Sequence, residues 1–259
     1  MDTLGLSREY KKLGTRRVPC RRVPHFLKEW SKGVFRLLGQ KRLQPDDDKA
    51  MAYFRKRSEV GNFSGFTDSG RDWYLEVLDL SLALGRAVAV DSANILDIGC
   101  GRGGLLRWLQ RRAGPNLLYT GVDQDPLAIA LCNNHFGKIG RFECSDIRSL
   151  PPPPKPYDVI FAINVFPYCM SAISLLENIS RQSHAKSLLI VVDPSRSLFW
   201  EREFGGFGIS LRSRRTFMKI FESSPWSVHE SGTFSLASCF SRPFFSVSNL
   251  FVLTPKQVH

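Results

Sequence analysis

Residues 94–104 read Asn-Ile-Leu-Asp-Ile-Gly-Cys-Gly-Arg-Gly-Gly (NILDIGCGRGG), and this stretch decides how the rest of the chain is read. A short apolar run breaks into closely spaced glycines and continues into 105–112 (LLRWLQRR), the pattern of a strand that ends in a tight loop opening a helix. Gly99, Gly101 and Gly103 permit positive φ and remove the Cβ atoms that would hold a ligand away from the backbone. Such a loop at a strand end suits a nucleotide-like ligand. Asp97, two residues before the first glycine, selects among such ligands. A carboxylate there repels a pyrophosphate seated on the helix N-terminus and favours a ligand with a cationic group.

Working outward, residues 117–123 (LLYTGVD) form a second strand ending in an acid, Asp123, about 20 residues beyond the glycines, where this architecture places a ribose-binding carboxylate. Residues 141–147 (RFECSDI) read as a third strand ending at Asp146, and 157–163 (YDVIFAI) as a fourth ending at Asn164. A single acid at a strand end is often only a helix cap. Asp97, Asp123, Asp146 and Asn164 at four successive ends are more than capping requires.

With Asp97-Ile98-Gly99-Cys100-Gly101-Arg102-Gly103 as its first motif, the chain resembles the class I S-adenosylmethionine-dependent methyltransferases. The resemblance spans residues 72–255 and implies a Rossmann-like α/β fold whose seven-stranded, mostly parallel sheet ends in an antiparallel hairpin. Residues 187–193 (SLLIVVD), a helix over 213–222 and strands over 226–236 and 246–254 fit that plan. It implies S-adenosyl-L-methionine as cofactor, with Asp97, Gly99, Cys100, Gly101 and Gly103 at the methionine portion. It further implies Asp123 on the ribose, Gln124, Asp146 and Ile147 around the adenine, and Asn164 near the methionine end.

Catalytic residues do not follow from the resemblance. Methyl transfer from a sulfonium is an in-line displacement in which orientation alone can supply roughly 7–11 kcal/mol of the barrier. The segment Asn164-Val165-Phe166-Pro167-Tyr168 differs from the Asn-Pro-Pro-Tyr-like motif that grips a planar amide, and lacks a nearby histidine base. Tyr168 and His229 remain weak catalytic candidates, and His135 reads as structural. Phe63, Phe66, Phe166, Tyr168 and Trp200 are the candidate acceptor contacts, with Phe199 and Phe207 close by in sequence. Their aromatic character favours a flat or apolar small molecule with an oxygen or nitrogen acceptor.

The first part of the chain stands apart. Residues 1–57 hold 16 Lys and Arg against 6 Asp and Glu, so +10 of the net +12 lies there and +2 is left for the remainder. Residues 1–71 are read as a basic arm and helical cover, and 72–259 as the methyltransferase domain. The arm repeats Arg-Arg-Val-Pro at 16–19 and 21–24, and an apolar stripe of Phe26, Trp30, Val34, Leu37 and Leu38 follows at helical spacing. That basic amphipathic helix has three open uses: a cover on the catalytic domain, an acidic membrane surface, or nucleic acid. The nearly neutral catalytic domain disfavours a nucleic-acid methyltransferase, and the intact acid series disfavours an idle cofactor-binding scaffold. The sequence has no apolar run of about 18 residues and no hydrophobic leader, so a cytoplasmic protein is expected. Six scattered cysteines suggest neither disulfides nor a zinc site, and no metal is expected.

Overall fold

A computed structural model describes residues 93–113, 118–169, 171–194, 211–235 and 246–257. The amphipathic helix of 26–43, Phe63, Phe66, Phe199, Trp200, Phe207 and the boundary at 71/72 lie outside the described residues.

The described elements are β1 (Asn94–Ile98), α1 (Gly104–Ala113), β2 (Leu118–Asp123), α2 (Pro126–Phe136), β3 (Arg141–Cys144), β4 (Tyr157–Ile163), α3 (Ala172–Ser180), β5 (Ser183–Pro194), α4 (Arg214–Glu222), β6 (Trp226–Ser235) and β7 (Ser246–Pro255). They form one seven-stranded sheet in the order β3-β2-β1-β4-β5-β7-β6. Pairings from β3 through β5 are parallel, while β7 runs antiparallel to both β5 and β6. This is the expected α/β architecture, and its order reverses between β1 and β4, where open parallel sheets bind ligands.

Both faces of the central strands are buried, so alternate residues serve two cores. Ile95, Tyr119, Val159, Phe161, Ile190 and Val192 face Leu105, Leu106 and Leu109 of α1 and Ile129 and Cys132 of α2. Leu96, Ile160, Ala162, Leu189 and Val191 face Leu175, Leu176 and Ile179 of α3 and Phe217 and Phe221 of α4. Trp226, at the start of β6, is fully buried and donates its indole N–H to the Leu176 carbonyl at 3.0 Å, tying the terminal hairpin to α3. Helix starts follow their caps: Asp125 accepts from Leu127 N at 3.0 Å, Ser171 from Ser174 N at 3.2 Å and Ser213 from Thr216 N at 3.2 Å.

Two boundaries differ from the sequence reading. β3 stops at Cys144, because the Ser145 amide turns to the Asp123 carbonyl (3.0 Å) and the Asp146 carboxylate caps a short 3₁₀ turn over Ile147–Ser149. Asp146 is thus a turn cap and not the last residue of a strand. β5 begins at Ser183, before the apolar run, and its pairing with β4 jumps from Tyr157–Ser183 to Val159–Leu188. The Ser187 hydroxyl spans that irregularity by accepting from His184 N and donating to the Tyr157 carbonyl. No described helix is long and apolar enough to cross a membrane.

Candidate active site

The glycine loop leaves β1 on hydrogen bonds from the Gly99 and Cys100 amides to the Val122 carbonyl, at 2.8 and 3.1 Å. Gly99, Gly101 and Gly103 all have positive φ. At Gly99 a Cβ would lie 2.9 Å from Val165 Cγ2, so the loop lies against the segment after β4 as only glycine allows. Gly121 of β2, directly across from Asp97 in the sheet register, is a second requirement. A Cβ there would meet Cys100 Sγ and Phe142 at 2.9 Å.

Asp97 and Asp123 occupy neighbouring strand ends. Asp123 accepts the Gly101 amide on Oδ2 (2.8 Å) and the Asp125 amide on Oδ1 (2.9 Å). These contacts clamp the glycine loop to β2, and a carboxylate retains further lone pairs for ligand hydroxyls. Burial raises the Asp123 pKa, and the backbone donors only partly offset it. Asp97 is 3% exposed and accepts a hydrogen bond from the Tyr119 hydroxyl. Burial pushes its pKa up to about 7, against the Tyr119 bond, and the Asp123 charge pushes it the same way. Cys100 and Cys132 are free, buried thiols. A hydrogen bond with Cys132, together with burial, drives the Cys100 pKa far up, so Cys100 is no nucleophile.

At the adenine side of the expected site, the Asp146 carboxylate accepts the Arg148 amide at 2.8 Å and pairs with the Arg148 guanidinium at 2.6 Å. Burial works to raise its pKa, but Arg148 prevails and holds it below the usual carboxylate value. Ile147 is buried beside it, and Gln124 is half-buried at the β2 end.

On the other side of the switch point, Asn164 takes up a left-handed conformation (φ 59°), which asparagine tolerates. Its amide donates to the Val192 carbonyl at 2.7 Å, and its side-chain nitrogen lies 3.5 Å from the Tyr168 hydroxyl. Two of the sequence candidates move away from this place. Phe166 is fully buried, edge-on to Phe217 with centroids 5.8 Å apart, so it belongs to the α4-side core and not to an acceptor mouth. His229 is an exposed residue of β6, which the sheet order places three positions from β4, so it is no base for this site. Tyr168 remains half-buried beside Asn164.

Two further residues were not singled out from the sequence. Arg212, 8% exposed, donates to the Phe166 carbonyl and, at 2.8 Å, to the Cys169 carbonyl, pinning both ends of the 3₁₀ turn Phe166–Tyr168. Asp193, near the end of β5, is fully buried opposite Asn249 of β7, and the Val165 and Phe166 amides approach its carboxyl without closing a well-formed hydrogen bond. Burial raises its pKa to about 8, against the Arg212 charge and the Val165 and Phe166 amides. Burial lowers the Arg212 pKa in turn, and Asp193 opposes this. Asp193 ends a fifth strand in an acid, continuing the series of acids that the sequence shows at earlier strand ends. Among the described residues, no cluster of His, Cys, Asp and Glu could hold a metal ion.

This sheet order, with the glycine loop at β1 and an acid at β2, defines a class I methyltransferase fold. Residues 95–184 match the model of a family described as a methyltransferase domain. Solved structures agree on the fold. The plantazolicin methyltransferase BpumL, in complex with a triazolic desmethylPZN analog and SAH, is 18% identical with a TM-score of 0.62, over 90% of this chain and 99% of that one. Magnesium protoporphyrin IX methyltransferase from Synechocystis PCC 6803 with bound SAH is 17% identical with a TM-score of 0.59, over 82% and 100%. A putative methyltransferase from Haloferax volcanii, in complex with its Trm112 activator, is 16% identical with a TM-score of 0.57, over 83% and 100%. Among curated proteins the sequence has no match. Over residues 95–184 the chain is thus similar to a methyltransferase domain, and its fold is the one shared by these S-adenosylmethionine-dependent methyltransferases.

Proposed function

We propose that the protein transfers a methyl group from S-adenosylmethionine to an oxygen or nitrogen of a small aromatic or apolar molecule. The observation that carries the cofactor half is the clamp of Asp123 on the Gly101 amide. It sets a carboxylate with spare acceptor capacity beside the glycine loop, which packs too closely on Val165 for any residue but glycine at 99. In this reading Asp123 accepts from the ribose hydroxyls, while Asp97 and the backbone of Gly99, Cys100, Gly101 and Gly103 receive the methionine portion. Because Arg148 already engages the Asp146 carboxylate, adenine contacts fall to the backbone of Asp146 and Ile147 and to Gln124. Asn164 closes the methionine end. When bound, S-adenosylmethionine supplies an electrophilic methyl on a sulfonium.

The chain's own contribution to the transfer is placement. Asn164 and Tyr168, on a turn that Arg212 holds at both ends, orient the acceptor, and no described residue needs to act as a strong base. The small-molecule reading draws support from the fold's likeness to a plantazolicin methyltransferase and a magnesium protoporphyrin IX methyltransferase. Two free buried thiols in the cofactor wall fit a reducing, cytoplasmic compartment.

Residues 26–43 would cover the acceptor side. Removing 1–43 should leave cofactor affinity within a few-fold while abolishing turnover, since closure excludes water and completes the pocket. Incubating the full chain with labelled S-adenosylmethionine and a fractionated small-molecule extract should yield a labelled product soluble in organic solvent. Label that instead enters RNA, with binding that falls steeply between about 50 and 200 mM salt, would overturn the small-molecule reading.

A further inference from the structure

Tyr119 of β2 lies, with Asp97, on the face of the sheet covered by α1 and α2. In the parallel pairing of β1 with β2, Ile95 stands opposite Tyr119 and Asp97 opposite Gly121. Because Gly121 has no side chain, the long Tyr119 ring reaches along the strand to Asp97 and donates its hydroxyl proton to Oδ2. Both residues are 3% exposed. Among the described residues, the titratable groups that act on Asp97 or on its partner Tyr119 are Asp123 from β2, Cys100 from the glycine loop and Cys132 from α2, none of them a cation. A carboxyl in that company ionises only with help.

We propose that Tyr119 is a positioning residue for the cofactor, keeping the Asp97 carboxyl oriented and ionised so that it pairs with the cationic end of S-adenosylmethionine. The proposal rests on the cofactor reading given above. Burial raises the phenol pKa well above its ordinary value, so Tyr119 donates throughout the working range. Its bond favours the charged form of Asp97, whose pKa of about 7 places the change of charge where cofactor binding can feel it. An ionised Asp97 strengthens binding of a cation, and by linkage a bound cation draws Asp97 toward ionisation. Affinity for a cationic ligand therefore falls as pH drops through the Asp97 pKa. Removing the Tyr119 hydroxyl moves that fall to higher pH. The cation has two sources, the sulfonium and the methionyl ammonium. S-adenosylhomocysteine retains only the ammonium, and 5′-methylthioadenosine has neither.

The test is calorimetry of the full chain with those three ligands at pH 7 and pH 9, on the wild type, Tyr119→Phe, Asp97→Asn and the double variant. At pH 7, Tyr119→Phe should weaken S-adenosylmethionine binding on the order of tenfold, one pKa unit of lost support, and leave 5′-methylthioadenosine within about twofold. The deficit should shrink at pH 9, where Asp97 is ionised with or without the hydroxyl. Introduced on Asp97→Asn, the same change should have no effect on the ratio of the two ligands. A larger loss for S-adenosylmethionine than for S-adenosylhomocysteine identifies the sulfonium as the cation, and equal losses identify the ammonium. Equal weakening of all three ligands, a deficit independent of pH, or a full effect persisting in the Asp97→Asn background would overturn the proposal and leave the cofactor reading standing. A wild type that binds none of the three overturns both. If Tyr119→Phe does not fold, Asp97→Asn alone decides, because it must abolish the pH dependence of S-adenosylmethionine affinity while 5′-methylthioadenosine binds as before.

Discussion

The ends of β1 and β2 and the ends of β4 and β5 form adjacent stretches of one sheet edge, yet they are held by different means. At β1 and β2 the loop is fixed by backbone amides on the Val122 carbonyl and on the Asp123 carboxylate, all within one strand-helix-strand unit. At β4 and β5 the turn Phe166–Tyr168 is fixed by Arg212, 46 and 43 residues along the chain from the carbonyls it binds, beside a buried Asp193. The half proposed to hold the cofactor is thus a local device, and the half proposed to face the acceptor is a tertiary one, with a guanidinium and a carboxyl buried in a poorly hydrated place. The difference predicts that cofactor-half substitutions lose ligand before they lose fold, while acceptor-half substitutions lose fold first.

The sharpest break in that contrast is Arg212→Ala. It removes two charge-assisted hydrogen bonds to the Phe166 and Cys169 carbonyls, at roughly 1.5–3 kcal/mol each. Urea unfolding should show that loss with the slope retained. A variant as stable as the wild type would mean that the turn is held by something else, and the contrast would fail.

Next in size is Asp123→Ala, the cofactor-half counterpart. Two hydrogen bonds to a charged group, at roughly 1.5–3 kcal/mol each, imply S-adenosylmethionine binding weaker by about two orders of magnitude or more. Calorimetry checks it, and unchanged affinity would remove Asp123 from the ribose. Gly121→Ala should cost about 1–3 kcal/mol by overpacking, because the added Cβ meets Cys100 Sγ and Phe142 at 2.9 Å. The displaced Cys100 should carry the glycine loop with it, so cofactor affinity should fall along with the unfolding midpoint.

The same contrast explains what the sequence could show. NILDIGCGRGG and LLYTGVD carry their meaning in short-range spacing, so the strand order, the glycine loop and the acids at 97 and 123 are legible from residues alone. Phe166 misled because an aromatic after a strand end looks the same whether it faces a ligand or Phe217, and only the packing of α4 decides. β3 was read too long since Asp146 following an apolar run reads as a strand end until Arg148 N caps onto it. Arg212 carries no local pattern, since its partners are carbonyls that no sequence marks. Asp193 was visible as a fourth acid after an apolar run, but its burial depends on β7 pairing beside it. Tyr119 gave the faintest mark, since an aromatic in a strand reads as core, and its partner became clear only with the register of β1 and β2.

The effect that most sharpens the comparison is the pH dependence lodged in the acceptor half. Burial raises the Asp193 pKa to about 8 in the folded protein, from an ordinary value of 3.8. Between those values the native state holds a proton that the unfolded chain has released, so folding binds a proton and stability declines as pH rises through the window. The contribution is complete below about pH 4, and it is lost as the pH passes 8. Each pH unit inside the window changes stability by up to about 1.4 kcal/mol for such a group, before the Arg212 charge and any opposing carboxylates are counted. Asp193→Asn keeps the shape, removes the titration and should flatten the stability profile between pH 5 and pH 8, so the variant gains on the wild type toward the alkaline end. Asp97, with its pKa of about 7, slopes the same way and is silenced separately by Asp97→Asn. Urea midpoints at both ends of that range, for both variants, divide the slope between the two halves. Should Asp193→Asn leave the profile as steep as before, the proton is not held on β5, and burial of Asp193 beside Arg212 does not set the pH response of this half.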